Sequence, residues 1–259
     1  MAIYNITAEQ LRGRGILNSF EISAGGAAGF SNVKSVAFDG SNDYAEGSTE
    51  FNSLDGATQA TWMFWFKTQA TTLQYIVSQW DASSNDNRNL RVEITPSSNR
   101  VSIYLGHNIG YRSTNTTINT DTWYHGVVTY NASNAGNQRV KFYLNNTLET
   151  NNVGYNGATS LKANPTSPFT VGKRTAYNFN VFNGNIDEVS IFSAELTSGE
   201  VTTYYNSGEP TDLAGQSNLI HWWRMGDGDT FPTLTDNVGS YNLTMTNMAS
   251  EDIEADVPS

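Results

Sequence analysis

Aromatic rings and amides alternate in Tyr177-Asn178-Phe179-Asn180-Val181-Phe182-Asn183, and these two residue types together suit one chemistry. A sugar ring stacks its C–H groups on a flat aromatic face, while amides and hydroxyls can both donate to and accept from its hydroxyls. His107-Asn108 with Tyr111-Arg112 forms a second stretch of this kind, and Trp80 leads into a loop carrying Asp81, Asn85 and Asn87. The expected carbohydrate-binding residues, on the rims of a concave face, are Trp80, His107, Tyr111, Tyr177, Phe179 and Asn180. The plain alternative is that Tyr and Asn furnish the loops of any β protein. Asp39, Asn42 and Asp43 share one turn and carry the hard oxygen ligands that Ca²⁺ takes. Asp-Gly and Asn-Asp are equally ordinary turn pairs, in which Asp43 would cap a backbone group. Asp227 and Asp229 make a weaker D-x-D candidate.

Motifs for catalysis are missing from the sequence. It has no G-x-S-x-G, no H-E-x-x-H and no cysteine. Asp187 and Glu188 are neighbours, so on a regular strand they point to opposite faces and cannot share a substrate. Glu93 stands alone on its strand. His107, His125 and His221 fall on different elements, and His125 is expected to be a hydrogen-bonded structural histidine. The chain reads as a non-enzyme.

The elements that must position these residues are short apolar runs separated by turn chemistry. Thr61–Lys67, Gln74–Gln79, Leu90–Thr95, Val101–Gly106, Thr122–Tyr130, Val140–Leu144 and Phe169–Gly172 read as strands between Asn/Asp/Ser/Gly clusters. Strands at this spacing without alternating helices predict an antiparallel sandwich or barrel. Trp62-Met63-Phe64-Trp65-Phe66 is apolar on both faces, which places it centrally in a sheet covered on both sides. In Asn183–Gly208 a period-two strand precedes Thr197-Ser198-Gly199-Glu200, the spacing of a capping box. The short helix that follows should turn Val201 and Tyr204 inward and end at Gly208, before Pro210. Residues 1–32 read as an N-terminal arm: a short helix after Thr7, then a flexible Ala/Gly link.

Composition narrows the function classes. The formal charge of −11 with no basic run argues against nucleic acid as a partner. Without cysteine there are no disulfides and no thiolate metal sites. No apolar stretch is long enough to span a membrane, and the first residues lack the apolar segment of a secretory signal.

Four stretches, in order, carry a family resemblance: Val36–Tyr44, Thr122–Tyr130, Val140–Asn146, and Asn183–Val189 with Tyr204–Gly208. They resemble laminin-G-like domains of the concanavalin A-like lectin/glucanase superfamily, although the usual Asp-Gly of one hairpin is here Asn145-Asn146. The resemblance implies an all-β, two-sheet antiparallel jelly roll at residues 33–259, with one short helix after the closing strand. It puts Asp187 on a strand beside the opening strand, which adds Asp187 to Asp39, Asn42 and Asp43 as a Ca²⁺ set. The E-x-D-x-E pair of the related glucanases is absent. Leu219–Asp229 resembles a segment that such domains usually carry at their N-terminus, so the chain is expected to be circularly permuted, the strand returning within the chain or filling a neighbour's slot. A lectin-type fold with no cysteine and no export signal, ending in this tail, also resembles proteins of marine bacteriophages. The implied role is a virion surface protein, a capsid decoration or a head or tail fibre component. It would be assembled in the host cytoplasm as a homo-oligomer, contacting other virion proteins and weakly binding a cell-surface glycan. The alternative is a free bacterial adhesin or lectin.

Overall fold

The computed structural model describes residues 30–81, 88–96, 98–106, 110–150, 153–155, 159–163, 166–175 and 179–259. Met1–Ser31 and Asn32–Ser259 are separate units, and residues 1–29 of the expected arm lie outside the described residues. The strands are β1 (Ser35–Asp39), β2 (Tyr44–Gly47), β3 (Gln59–Thr68), β4 (Gln74–Trp80), β5 (Arg88–Thr95), β6 (Arg100–Leu105), β7 (Gly110–Ser113), β8 (Trp123–Asn131) and β9 (Val140–Leu144). They continue as β10 (Thr147–Glu149), β11 (Val153–Tyr155), β12 (Thr170–Val171), β13 (Asn183–Phe192), β14 (Leu219–Trp223), β15 (Thr233–Leu234), β16 (Leu243–Thr246) and β17 (Ile253–Glu254). One α-helix of the second unit, α1 (Ser198–Tyr205), follows β13.

Every strand pairing is antiparallel, and two sheets result. The eight-stranded sheet runs β10-β9-β8-β3-β13-β1-β17, with β14 also on β13. The nine-stranded sheet runs β11-β7-β6-β5-β4-β12-β2-β16-β15. Alternation sends Phe64, Phe66, Val128, Phe142, Ile186 and Ile191 of the first sheet, and Ile76, Val92, Ile103, Val171 and Met245 of the second, into one core. This is the expected all-β two-sheet sandwich. The strand β3 lies between β8 and β13 and is buried on both faces, since Tyr205 of α1 stacks on Trp65 on the side away from the core.

The helix starts as the capping box predicts. Glu200 N–H donates to Thr197 Oγ1 (3.3 Å), and Thr197 N–H donates to Glu200 Oε2 (2.7 Å). Its left-handed C-cap is Asn206 (φ 44°) rather than Gly208, because Asn tolerates that conformation and arrives first in the chain.

The C-terminal strands complete both sheets within the same chain. Strand β13 pairs with β1 through Asn183–Ile186 and with β14 through Val189–Phe192, so two strands share one edge of β13 end to end. Between them the register shifts at Glu188, whose φ is 46°. Strand β16 lies beside β2, and β17 covers the outer edge of β1. Asp256, just beyond β17, accepts from Lys67 Nζ and from Trp123 Nε1.

Candidate functional site

Sheet alternation builds a polar, aromatic band on the outer face of the nine-stranded sheet. Leu90, Val92 and Ile94 of β5 and Val101, Ile103 and Leu105 of β6 are fully buried in the core, so Arg91, Glu93, Ser102 and Tyr104 face the other way. Register sets Arg91 opposite Tyr104 on one side and Ser78 on the other, and Glu93 opposite Ser102 and Tyr75. The Arg91 guanidinium lies 3.9 Å from the Tyr104 ring centre and 5.0 Å from that of Trp80, with Nε 3.0 Å from Glu93 Oε2. Arg88 approaches the Trp80 ring at 5.6 Å, and Arg174 approaches Tyr75 at the same distance. Burial raises the Glu93 carboxyl above its ordinary range, while the charges of Arg91 and Arg174 act against that rise. Further along, Lys173 sits 3.3 Å over the Tyr44 ring and 3.2 Å from Glu46. Cations held over ring faces beside a carboxylate can bind a hydroxylated or anionic ligand in a fixed orientation.

Four of the expected sugar residues belong to this sheet or its rim. Trp80 ends β4, is 8% exposed, and shares its ring face with Arg88 and Arg91. Phe179 is 57% exposed, and the Asn180 carbonyl accepts from Tyr75 N–H at 3.2 Å, which sets this loop at the other end of β4. The five residue steps from Tyr75 to Trp80 span roughly 16 Å. Tyr111 lies in β7, opposite Tyr104 in register. His107 and Tyr177 lie outside the described residues. Sequence reading missed Tyr75, Arg91, Tyr104 and Arg174. The signal was present as polar residues at every second position of Arg91–Thr95, but the assembled band needs the strand register.

The four residues expected to hold Ca²⁺ do not form one ligand set. Asp39 pairs with Asn183, four residues from Asp187 on β13, a separation of about 13 Å along the strand. Asp39 Oδ1 accepts from Ser41 N–H (2.7 Å) and Asn42 N–H (3.2 Å), and Asp43 Oδ2 accepts from Asp39 N–H (3.1 Å). Burial, with the charges of Asp39 and Asp252, pushes the Asp43 carboxyl up to about 6. These carboxylates organise their turn. Among the described residues no group of three or more His, Asp or Glu is placed to hold a metal ion.

Asp187 belongs instead to a buried knot. The bulge at Glu188 breaks the strict alternation, so the two adjacent carboxylates share one cluster rather than pointing to opposite faces. Asn32 Nδ2 donates to Asp187 (2.8 Å), Trp222 Nε1 donates to Glu188, and Arg224 reaches both Glu188 (3.2 Å) and Asp227 (3.2 Å). Burial, then the Glu188 charge, raises the Asp187 carboxyl well above its usual range. Burial also raises Glu188 to about 7, against the pull of Arg224 and Trp222. A carboxyl raised in the fold stabilises it fully below its ordinary value of 4.5, and that contribution is lost as pH rises through about 7. The loss is roughly 3 kcal/mol at about 1.4 kcal/mol per unit. Glu188→Gln should therefore have a flatter stability profile than the parent between pH 4.5 and 7, and match or exceed it at pH 8. Urea midpoints at pH 5 and pH 8 measure this, and parallel profiles would refute it.

His125 also departs from expectation. It is fully buried against Trp65 (ring centres 4.6 Å) and Tyr205 (5.8 Å), and neither ring nitrogen has a hydrogen-bond partner among the described residues. Burial pushes its pKa down to about 3.

Comparison with known proteins bears on this geometry. The family model described as the Concanavalin A-like lectin/glucanases superfamily matches residues 39–202. No curated protein matches the chain. A Bacteroides ovatus crystal structure, described as a candidate carbohydrate-binding protein, is similar with a TM-score of 0.65 and 17% identity, over 88% of this chain and 62% of that one. This chain therefore spans about three fifths of that protein. The heptameric SAP-like pentraxin of Limulus polyphemus is similar at a TM-score of 0.53 and 14% identity, over 67% of this chain and 82% of that one. The full extracellular region of zebrafish Gpr126/Adgrg6 is similar at 0.55 and 14% identity, over 87% of this chain and 26% of that one.

These findings overturn one expectation. The similar solved structures are bacterial and animal proteins, which conflicts with the bacteriophage reading: virion surface, capsid decoration, head or tail fibre. The inference failed for a physical reason. Neither a cysteine-free, neutral-polar composition nor a fold encodes the particle or compartment in which a domain is used.

Proposed function

The chain belongs to the Concanavalin A-like lectin/glucanases superfamily, and from that premise we propose that it is a carbohydrate-binding module whose ligand lies on the outer face of the nine-stranded sheet. The observation that carries this reading is the joined band of Trp80, Arg91, Tyr104 and Glu93, with Phe179 and Asn180 at the opposite end of β4. Tyr104 and the exposed Phe179 offer stacking faces and the partly exposed Arg91 guanidinium offers directional hydrogen bonds to sugar hydroxyls, while the buried Trp80 and Glu93 hold it in place. The roughly 16 Å length of β4 suits an oligosaccharide of a few rings rather than a single sugar. Binding of this kind needs no bond-making step. One shallow site would give about 4–6 kcal/mol, in the millimolar to tens-of-micromolar range. Assembly of several copies as a homo-oligomer would raise avidity by about 10²–10⁴ without a new contact.

The experiment is a glycan array with the full chain, followed by titration of the best ligand. Tyr104→Ala and Phe179→Ala should each weaken binding about tenfold or more, equivalent to about 1.4 kcal/mol, while leaving the unfolding temperature within a few degrees of the parent. Unchanged affinity in both variants, or no glycan bound at all, would refute the assignment.

A further inference from the structure

His221, on β14, joins two groups far from it in sequence. Its Nδ1 lies 2.6 Å from Asp236 Oδ2, and its Nε2 lies 2.7 Å from Ser53 Oγ. The Asp236 carboxylate is saturated by the backbone: Oδ1 accepts from the N–H groups of Trp222 (3.1 Å), Val238 (3.2 Å) and Gly239 (3.0 Å), and Oδ2 accepts from Tyr241 N–H (3.0 Å). A carboxylate holding this many donors is acceptor-only, so His221 carries its proton on Nδ1. That leaves the Nε2 lone pair as acceptor of the Ser53 hydroxyl proton. The ring cannot drift, because it stacks on Trp223 (5.4 Å) and packs against Phe51 (5.0 Å). Gly239 permits the close approach, since a Cβ there would stand 2.5 Å from Asp236 Oδ2 and 2.9 Å from His221 Nδ1.

Ser53 itself is exposed, in a turn closed by Asp55 N–H to Asn52 O (3.1 Å). Inside that turn the N–H groups of Ser53 and Leu54 make no hydrogen bond among the described residues. Donors on a nucleophile's own residue and on the next are those an oxyanion uses. We infer that Ser53, His221 and Asp236 form a nucleophile–base–orienter triad able to cleave an unhindered carboxylic ester, a second activity separate from the outer-face band. Constellations of this kind are recognised by geometry rather than by sequence order.

In the first half-reaction Ser53 Oγ bonds to the ester carbonyl carbon and its proton passes to His221 Nε2. The alkoxide then leaves, its C–O bond breaking, and takes that proton. In the second, water attacks the acyl-Ser53 carbon and gives its proton to Nε2. The acyl–Oγ bond breaks, the proton returns to Ser53, and the carboxylic acid departs. Ser53 and His221 are the catalytic groups, and Asp236 positions the imidazole.

The test uses the full chain with diisopropyl fluorophosphate and p-nitrophenyl acetate. One adduct, mapped to Ser53, is expected, and Ser53→Ala should lower ester hydrolysis by about 10²-fold or more, the scale of general-base assistance. Asp236→Asn should abolish the rise in labelling rate that accompanies imidazole deprotonation, a readout that a merely structural carboxylate would not move. If that variant fails to fold, the parent and Ser53→Ala decide alone, since Ser53 is exposed. A folded parent that takes no adduct at Ser53, or a Ser53→Ala variant as active as the parent, would overturn the assignment.

Discussion

Removal of residues 218–259 should leave a chain with no cooperative unfolding transition. The deleted segment supplies β14 to one edge of β13, β16 to the edge of β2, and β17 to the edge of β1. Its Leu219, Trp222, Trp223, Met225, Leu234, Leu243 and Met245 are all buried. At about 1.5–3 kcal/mol for each large apolar side chain, their burial is worth on the order of 10–20 kcal/mol. A whole domain is stable by only about 5–15 kcal/mol. Deletion would also bare the edges of β1 and β2, which invite aggregation. A milder form of the experiment is Trp223→Ala. Trp223 is fully buried, stacks on Phe169 at 5.3 Å, and donates from Nε1 to Tyr241 O at 2.8 Å. That substitution should cost about 3–5 kcal/mol, read as a fall in urea midpoint without a change in slope. A truncated chain that still melted sharply would show that the tail is an accessory to the fold.

How much of this was legible in the sequence depends on the range of the physics. The β13 strand and the α1 capping box are local, and Thr197–Glu200 behaves as its spacing demands. The two-faced apolar run of β3 announced burial on both sides because a strand shows a solvent-facing side only if it has one. The bulge was not legible. Nothing local tells a Glu to adopt φ 46°, and the cause is long-range: β13 changes partner from β1 to β14 at that residue, and Trp222 and Arg224 hold the displaced carboxylate.

The candidate sites divide in the same way. Trp80 and the Phe179–Asn180 loop were visible as residue types, but the partners that give Trp80 a role, Arg91 and Tyr104, come together only once β4, β5 and β6 are in register. Ser53 and His221 are 168 residues apart, so no motif scan could pair them. The expected Ca²⁺ residues are not all brought together, for the converse reason. Adjacent strands were inferred correctly, but a position along a strand is not set by adjacency, and Asp187 falls four residues beyond the partner of Asp39.

His125→Phe should stabilise the fold, and by an amount that grows as the solution is acidified. At neutral pH the imidazole is uncharged, yet among the described residues neither nitrogen has a partner where the ring is fully buried against Trp65 and Tyr205. An unpaired buried polar group costs about 1–3 kcal/mol, and a phenyl ring removes that cost while keeping the stacking. Acid adds a second contribution. The folded imidazole titrates near 3 against an ordinary 6.5, so the unfolded chain binds the proton first. Stability present above pH 6.5 is therefore lost as pH falls toward 3, by about 1.4 kcal/mol per unit and roughly 5 kcal/mol in all. A phenyl ring does not titrate, so the gap between variant and parent must widen over that window. If the larger ring over-packs, at about 1–3 kcal/mol, the offset at pH 7 shrinks but the slope of the difference does not. His125→Leu, which is smaller across the ring plane, should show the same slope. Urea midpoints of the three proteins at pH 7, 5.5 and 4 measure it. A difference that stays constant with pH would mean that His125 takes up its proton in the fold as readily as in the unfolded chain, and the account of this buried face would have to change.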